Sequence, residues 1–182
     1  ETNAVGCSFV GDALKQKKTA AGYVHPIAEV RVRDEQGNEV AAGDTGEFYV
    51  KTPTLMNGYW GSSERRPEFF PSGDVGHIDE EGCIHITGRS KDVIIRGGEN
   101  IFPAEIEREL EKVSDVIEAA VFGVPDDCYG EVPTAIVRLS KEAIVTEAAL
   151  LEGLTSDLAH YKIPRKIYVT NEPLPRNMTG KV

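Results

Sequence analysis

The sequence predicts an α+β chain in two unlike parts. Three observations carry this. In the first half, apolar residues recur at every second position in short runs, with Gly-, Pro- or Asp-bearing turns between them. From Pro103 onward, apolar residues also recur at helical spacing, and such runs alternate with β-branched ones. Between the two lies a polar, glycine-led joint, Gly88-Arg89-Ser90-Lys91-Asp92, with a short apolar run on either side. Residues 1–89 therefore read as short antiparallel strands, as in a small β-barrel. Residues 90–182 read as a small sheet covered by helices. The joint has the profile of a hinge with a ligand loop beside it.

Taken in order, residues 1–28 are rich in glycine and alanine and weakly patterned, which predicts loop with a short strand at 22–24. Over 27–33, Val30 and Val32 alternate with Glu29, Arg31 and Arg33, as in a half-buried strand. Asp34-Glu35-Gln36-Gly37-Asn38 is a turn, and 46–50 is the next strand, ended by Pro53. Tyr59-Trp60 stands between glycines and is expected to pack rather than to touch a substrate. Residues 65–70 allow a short helix or coil, and 71–76 a tight loop that sets Asp74 beside glycines. Residues 75–79 and 83–87 flank Glu80-Glu81-Gly82, a hairpin signal. After the joint come Val93-Ile94-Ile95 and the turn Gly97-Gly98. Pro103 opens a helix, where its missing N–H is no loss, and Ile106, Leu110 and Val113 form its stripe. Strands follow at 116–124, broken by Pro125-Asp126-Asp127, and at 132–139. Thr146 caps a helix expected to run to about His160 on Leu150, Leu154 and Leu158. Residues 166–170 form a last strand.

A length of 182 residues suits one ordinary domain or two small ones. The net charge of -10 speaks against a nucleic-acid surface, which needs a basic stripe. No apolar run approaches the ~20 residues of a membrane span. Cys7, Cys83 and Cys128 lie far apart without metal or redox spacing, so reduced thiols and a cytoplasmic location are expected. His25, His77, His85 and His160 show no metal spacing either and read as structural or solvent-facing. Glu1 is not an initiator Met and Val182 closes no element, so a fragment of a longer protein is expected.

Four motifs then stand in fixed order: residues 46–60 (GEFYVKTPTLMNGYW), Ser72-Gly73-Asp74, residues 88–107, and residues 174–182 (LPRNMTGKV). Together they resemble the C-terminal third of the adenylate-forming superfamily, which holds acyl- and aryl-CoA synthetases, peptide-synthetase adenylation domains and beetle luciferases. Gly97-Gly98-Glu99-Asn100, followed by Pro103-Ala104-Glu105, is similar to the loop of the fatty-acid–CoA ligase type. The resemblance implies that residues 1–89 end a large adenylation domain. Residues 90–182 would be a mobile lid, cut after the catalytic-lysine motif. It implies an ATP-dependent, AMP-forming reaction: a carboxylic acid is adenylated, then a thiol displaces AMP. The family's phosphate loop is not in this sequence, so the fragment alone is expected to be inactive.

The family's roles carry over residue by residue. Lys181 would be the adenylation lysine; by residue type alone it is an exposed lysine on a glycine-flanked loop. Asp74 would hold the nucleotide ribose, or else make an Asx-turn. Arg89 would reach ribose or phosphate, or make a surface ion pair. Lys91 would be the hinge, Gly97 and Gly98 the backbone that approaches the pantetheine arm, and Tyr129 an aromatic beside the CoA nucleotide. Tyr161 and Lys162, with Arg165 and Lys166 nearby, make an aromatic-plus-basic cluster that suits CoA, or a solvated turn. Glu1, followed by Thr2-Asn3, would hold Mg²⁺ through its carboxylate. The partners implied are ATP, CoA and a small carboxylic acid. A homodimer is also open, as is a lysine acetyltransferase and deacetylase acting at Lys181, since Pro175 and Gly180 frame an acetylation-like motif. Two alternatives stay open: an adenylation domain that loads a carrier protein, and a non-catalytic lid module that binds nucleotide or a partner.

Overall fold

The computed structural model describes residues 20–61, 66–176 and 178. Glu1 and Lys181 therefore lie outside the described residues, as does Cys7. The chain divides by its internal contacts into two units, the first ending at Lys91 and the second beginning at Asp92.

The first unit is one antiparallel sheet in the order β1-β5-β4-β3-β2. Its strands are β1 (Gly22–Tyr23), β2 (Glu29–Arg33), β3 (Gly46–Lys51), β4 (Phe70–Ile78) and β5 (Cys83–Arg89). Among the described residues the sheet is open and does not close into a barrel. β1 and β2 are its two edges, and β1 is only two residues long. Closure needs strands long enough to tilt and stagger around an axis. Two further expectations change here. Phe70 already belongs to β4, and residues 71–76 are strand rather than loop. What looked like loop chemistry is strand irregularity: Gly73 takes φ +77°, and the register shifts between Val75 and Gly76. Gly76 is required for a different reason. A Cβ there would lie 1.9 Å from the carbonyl oxygen of His85 on β5, so only glycine lets the strands approach. Tyr59 and Trp60 are exposed rather than packed. Gly58 and Gly61, on either side of them, both take positive φ.

The second unit is a sheet in the order β10-β9-β6-β7, with β8 paired to β9. Its elements are β6 (Ile94–Arg96), β7 (Glu99–Ile101), α1 (Pro103–Leu110), β8 (Val116–Asp126), β9 (Gly130–Leu139), α2 (Glu147–Leu154), a 3₁₀ turn (His160–Lys162) and β10 (Lys166–Thr170). β10 runs parallel to β9, and the other pairs are antiparallel. Pro103 stands at the first turn of α1, whose Ile106 and Leu110 enter the core. Thr146 caps α2 through its hydroxyl, which accepts from the Ala149 N–H at 3.3 Å. Leu150, Leu154 and Leu158 all reach the core, as their spacing predicts. The helix itself stops at Leu154, short of the expected His160. The Thr155 hydroxyl donates to Glu152 O and the Ser156 hydroxyl to Gly153 O, and such back-bonding competes with the helical ladder. β8 continues through Pro125, which pairs with Glu131 beside the strand's end, where a missing N–H is tolerated. Among the described residues no helix is long and apolar enough to cross a membrane.

Candidate functional site

Of the described residues singled out by the sequence, Asp74 and Arg89 meet in the first unit, and Gly97, Gly98 and Tyr129 in the second.

In the first unit, Asp74 and Arg89 are direct cross-strand partners on β4 and β5. Arg89 Nε lies 3.4 Å from Asp74 Oδ1. The ladder holds the pair from below: Ser90 N–H donates to Gly73 O at 2.9 Å, and Gly73 N–H to Glu47 Oε1 at 3.2 Å. Ser72 Oγ accepts from the Asp74 N–H at 3.0 Å, so the turn-like bond at this site involves Ser72. Both side chains stay accessible, 34% exposed for Asp74 and 58% for Arg89. A carboxylate so placed can accept from two vicinal hydroxyls, and the guanidinium beside it can donate to a phosphate or a sugar. Lys91 follows β5 as the last residue of the unit and is exposed.

In the second unit, Gly97 and Gly98 form the two-residue turn of the β6–β7 hairpin. Their φ values, +59° and +93°, meet the demand of such turns for positive φ. Gly97 N–H donates to the carbonyl of Tyr129 at 2.8 Å. The preceding residue, Arg96, ties three loops together. Its guanidinium lies 4.8 Å from the centre of the Tyr129 ring, a cation–π contact, and its Nη1 donates to Tyr161 O at 2.6 Å. Around this knot lies a cavity of about 390 Å³ whose polar walls are Arg96, Asp126, Tyr129, His160 and Arg165. Its apolar walls include Val132, Pro133, Ile163 and Pro164.

Asp126 builds one wall. It accepts from the N–H groups of Cys128 at 2.9 Å and Tyr129 at 3.0 Å, and it pairs with Arg165. Those two N–H bonds, then Arg165, hold its carboxyl below the usual carboxylate range. Tyr161 and Lys162 take other places. Tyr161 meets the site through its backbone carbonyl, and its half-buried side chain packs on the core. Lys162 Nζ lies 2.8 and 2.7 Å from the two carboxylate oxygens of Glu105, which fastens the 3₁₀ turn to α1. Arg96 and His160 escaped the sequence reading. Arg96 carried one signal, its place just before the glycine pair. His160 carried none, because tertiary folding alone brings it to the cavity. Cys83 is buried and Cys128 exposed. Among the described residues no cluster of three or more His, Cys, Asp or Glu can hold a metal.

Comparison with known proteins gives a consistent set of likenesses. Residues 1–60 match the AMP-binding enzyme family and residues 105–181 match the AMP-binding enzyme C-terminal domain. Indoleacetate–CoA ligase of Aromatoleum aromaticum is 38% identical over 181 residues, which cover 96% of this chain and 35% of that protein. ATP-bound MatB from Rhodopseudomonas palustris is 43% identical with a TM-score of 0.83, over 90% of this chain and 34% of that one. o-Succinylbenzoate CoA synthetase (MenE) from Bacillus subtilis, in complex with its acyl-adenylate intermediate, is 32% identical with a TM-score of 0.88, over 97% of this chain and 37% of that one. The chain thus spans about a third of the length of the relatives it matches.

Proposed function

The chain belongs to the AMP-binding enzymes, and from that premise we propose that it serves as the C-terminal third of an AMP-forming acyl- or aryl-CoA synthetase. The observation that carries the second half of this reading is the cavity of the second unit. An aromatic ring and two arginines line it, and the glycine turn adjoins it through the Gly97 N–H bond to Tyr129 O; a nucleotide-bearing thiol such as CoA needs all three: close backbone approach, stacking and cations.

The chemistry has two halves. A carboxylate oxygen attacks the α-phosphorus of ATP and pyrophosphate leaves. The sulfur of CoA then attacks the acyl carbonyl, AMP leaves with the bonding pair, and the thiol proton goes to solvent. In this reading Asp74 accepts from the ribose hydroxyls and Arg89 donates beside it. Lys181 bridges carboxylate and phosphate oxygens as charge builds in the first transition state. Gly97, Gly98 and Tyr129 line the path of CoA. Arg96 and Arg165 supply the cations, and Tyr161 and Lys162 shape the wall from behind, Lys162 through Glu105. Lys91 is the joint about which the second unit turns between the half-reactions. Mg²⁺ suits a single carboxylate plus nucleotide phosphates, and Glu1 is the carboxylate assigned to it.

The test uses the protein completed with the upstream region that its relatives carry. Fatty and aromatic acids are screened for acid-dependent pyrophosphate release and then for thioester formation with free CoA. The expected result is both activities with at least one acid. Transfer only to carrier-bound pantetheine would replace CoA by a carrier protein as the acceptor. Nucleotide binding without pyrophosphate release would replace the enzyme by a binding module.

A further inference from the structure

Glu118 holds a place that strand alternation forbids. Val116, Ala119 and Val121 all pack into the helix-covered core, a spacing of three and then two. The register of β8 against β9 shifts between Val116 and Glu118, which inserts Ile117 as an extra residue. A bulge of this kind changes the phase of the strand and re-aims its side chains. Without it Glu118 would point into the apolar core. With it Glu118 turns to the opposite face, beside its cross-strand partner Arg138.

On that face it grips the segment that follows β10. Glu118 Oε1 accepts from the Leu174 N–H at 3.2 Å and from Arg138 Nη1 at 3.2 Å. Its Oε2 pairs with Arg176. Glu118 and Leu174 are buried, 9% and 5% exposed, while the Arg176 side chain is half exposed. The other end of the segment is fastened too, since Asn171 Nδ2 donates to Leu139 O at 3.4 Å and Ser140 O at 3.3 Å. Arg176 stands five residues before Lys181. Five residues reach at most ~18 Å when fully extended, so holding Arg176 bounds where Lys181 can act.

We propose that Glu118 is the positioning residue of the adenylating lysine, a clamp that fixes Arg176, five residues before Lys181, on the β8–β9 face. This rests on the reading of Lys181 given above. The clamp serves only the half-reaction that uses Lys181; attack by the thiol on the finished acyl-adenylate does not depend on it.

The test again uses the completed protein and measures the half-reactions separately, as acid-dependent pyrophosphate release and as thioester formation from a pre-formed acyl-adenylate. In Glu118→Ala and Glu118→Gln, pyrophosphate release falls about 10- to 100-fold, the range for a misplaced catalytic group, while the thioester step is unchanged. Arg176→Met slows the same half-reaction, and the double variant with Glu118→Gln is no slower than the slower single one, because the two residues act as a unit. In Glu118→Ala the amide of Leu174 exchanges faster with solvent. Equal losses in both half-reactions overturn the clamp, since general loss of fold would give that result. Unchanged pyrophosphate release in Glu118→Ala overturns it as well. A completed protein that adenylates no acid overturns the Lys181 reading, and the clamp falls with it.

Discussion

The two units hold themselves together by different means. The second gathers Ile94, Ile101, Ile106, Leu110 and nine more buried apolar residues into one cluster between sheet and helices. In the first, the cluster among the described residues is Val32, Phe48 and Ile84. What the first unit has instead is backbone pressed on backbone, at Gly76 against His85 and at Gly46 against Arg33, where an added Cβ would lie 2.3 Å from the carbonyl oxygen. Cations lie over aromatic rings in both units, Arg31 on Phe69 at 4.2 Å and Arg33 on Tyr49 at 4.6 Å in the first, Arg96 on Tyr129 at 4.8 Å in the second. The difference matters for function. A thin core with tight ladders suits a fixed pair such as Asp74 and Arg89, whose geometry comes from strand register. A thick core lets the second unit carry three loops around one cavity and a clamped segment on its other face.

The largest expected effect tests the thick core. Ile106→Ala should destabilise the second unit by about 2–5 kcal/mol, because the fully buried site between α1 and the sheet cannot collapse. Ile84→Ala should cost less, about 2 kcal/mol, in the smaller cluster. Chemical denaturation of both variants measures the pair, and equal losses would break the comparison. Next comes the ladder. Gly76→Ala should destabilise the first unit by about 1–3 kcal/mol through strand separation, despite removing no contact. A melting temperature unchanged by that substitution would show that the strands are free to part there.

The smallest effect is on acid stability, and it sharpens the comparison. Among the described residues, the shifted groups of the first unit, Arg31, Asp34 and Glu68, sit at its surface. The second unit has two half-buried or buried glutamates shifted in opposite directions. The Leu174 N–H, then Arg138 and Arg176, hold the Glu118 carboxyl below the ordinary range. Burial pushes Glu107 up, against the pull of its bond to the Val121 N–H. A depressed folded value gives stability that is complete above the ordinary glutamate range and lost as pH falls through the folded value. A raised value does the reverse, so the Glu107 contribution is greatest below the ordinary range and declines as pH rises toward its folded value. Glu118→Gln should therefore flatten the acid-side loss of stability between about pH 5 and about pH 3, while Glu107→Gln should steepen it. Thermal melts across that range measure both slopes, and parallel slopes in the two variants would contradict the assignment.

Much of this was legible in the sequence, for local reasons. Pro103 with Ile106 and Leu110 announced α1, and Thr146 announced the start of α2, because caps and stripes are local signals. The β4–β5 hairpin followed from Glu80-Glu81-Gly82. Less visible were features set by strand pairing. Nothing in VIEAA reveals that Ile117 is a bulge, and so Glu118 reads as one more charged residue in a strand. The shortness of β1 was legible in its glycine-rich stretch, but not that it lies at the edge of the sheet, which pairing with β5 decides. That Gly97 and Gly98 make a turn was legible from the glycine pair, and the resemblance pointed to Tyr129. Their partners Arg96 and His160 were not legible, because sequence separation hides what the 3₁₀ turn and the hairpin bring together.

The central claim is that the second unit serves two reactions with two separate sets of residues. The most direct measurement compares Lys181→Ala with Arg96→Ala in the completed protein, one half-reaction at a time. The account predicts that Lys181→Ala loses pyrophosphate release by at least about 100-fold but still converts a supplied acyl-adenylate to the thioester. It predicts the reverse for Arg96→Ala: pyrophosphate release retained, thioester formation slowed about 10-fold or more. If both variants lose the same half-reaction to the same extent, the two sets are one, and the account is wrong.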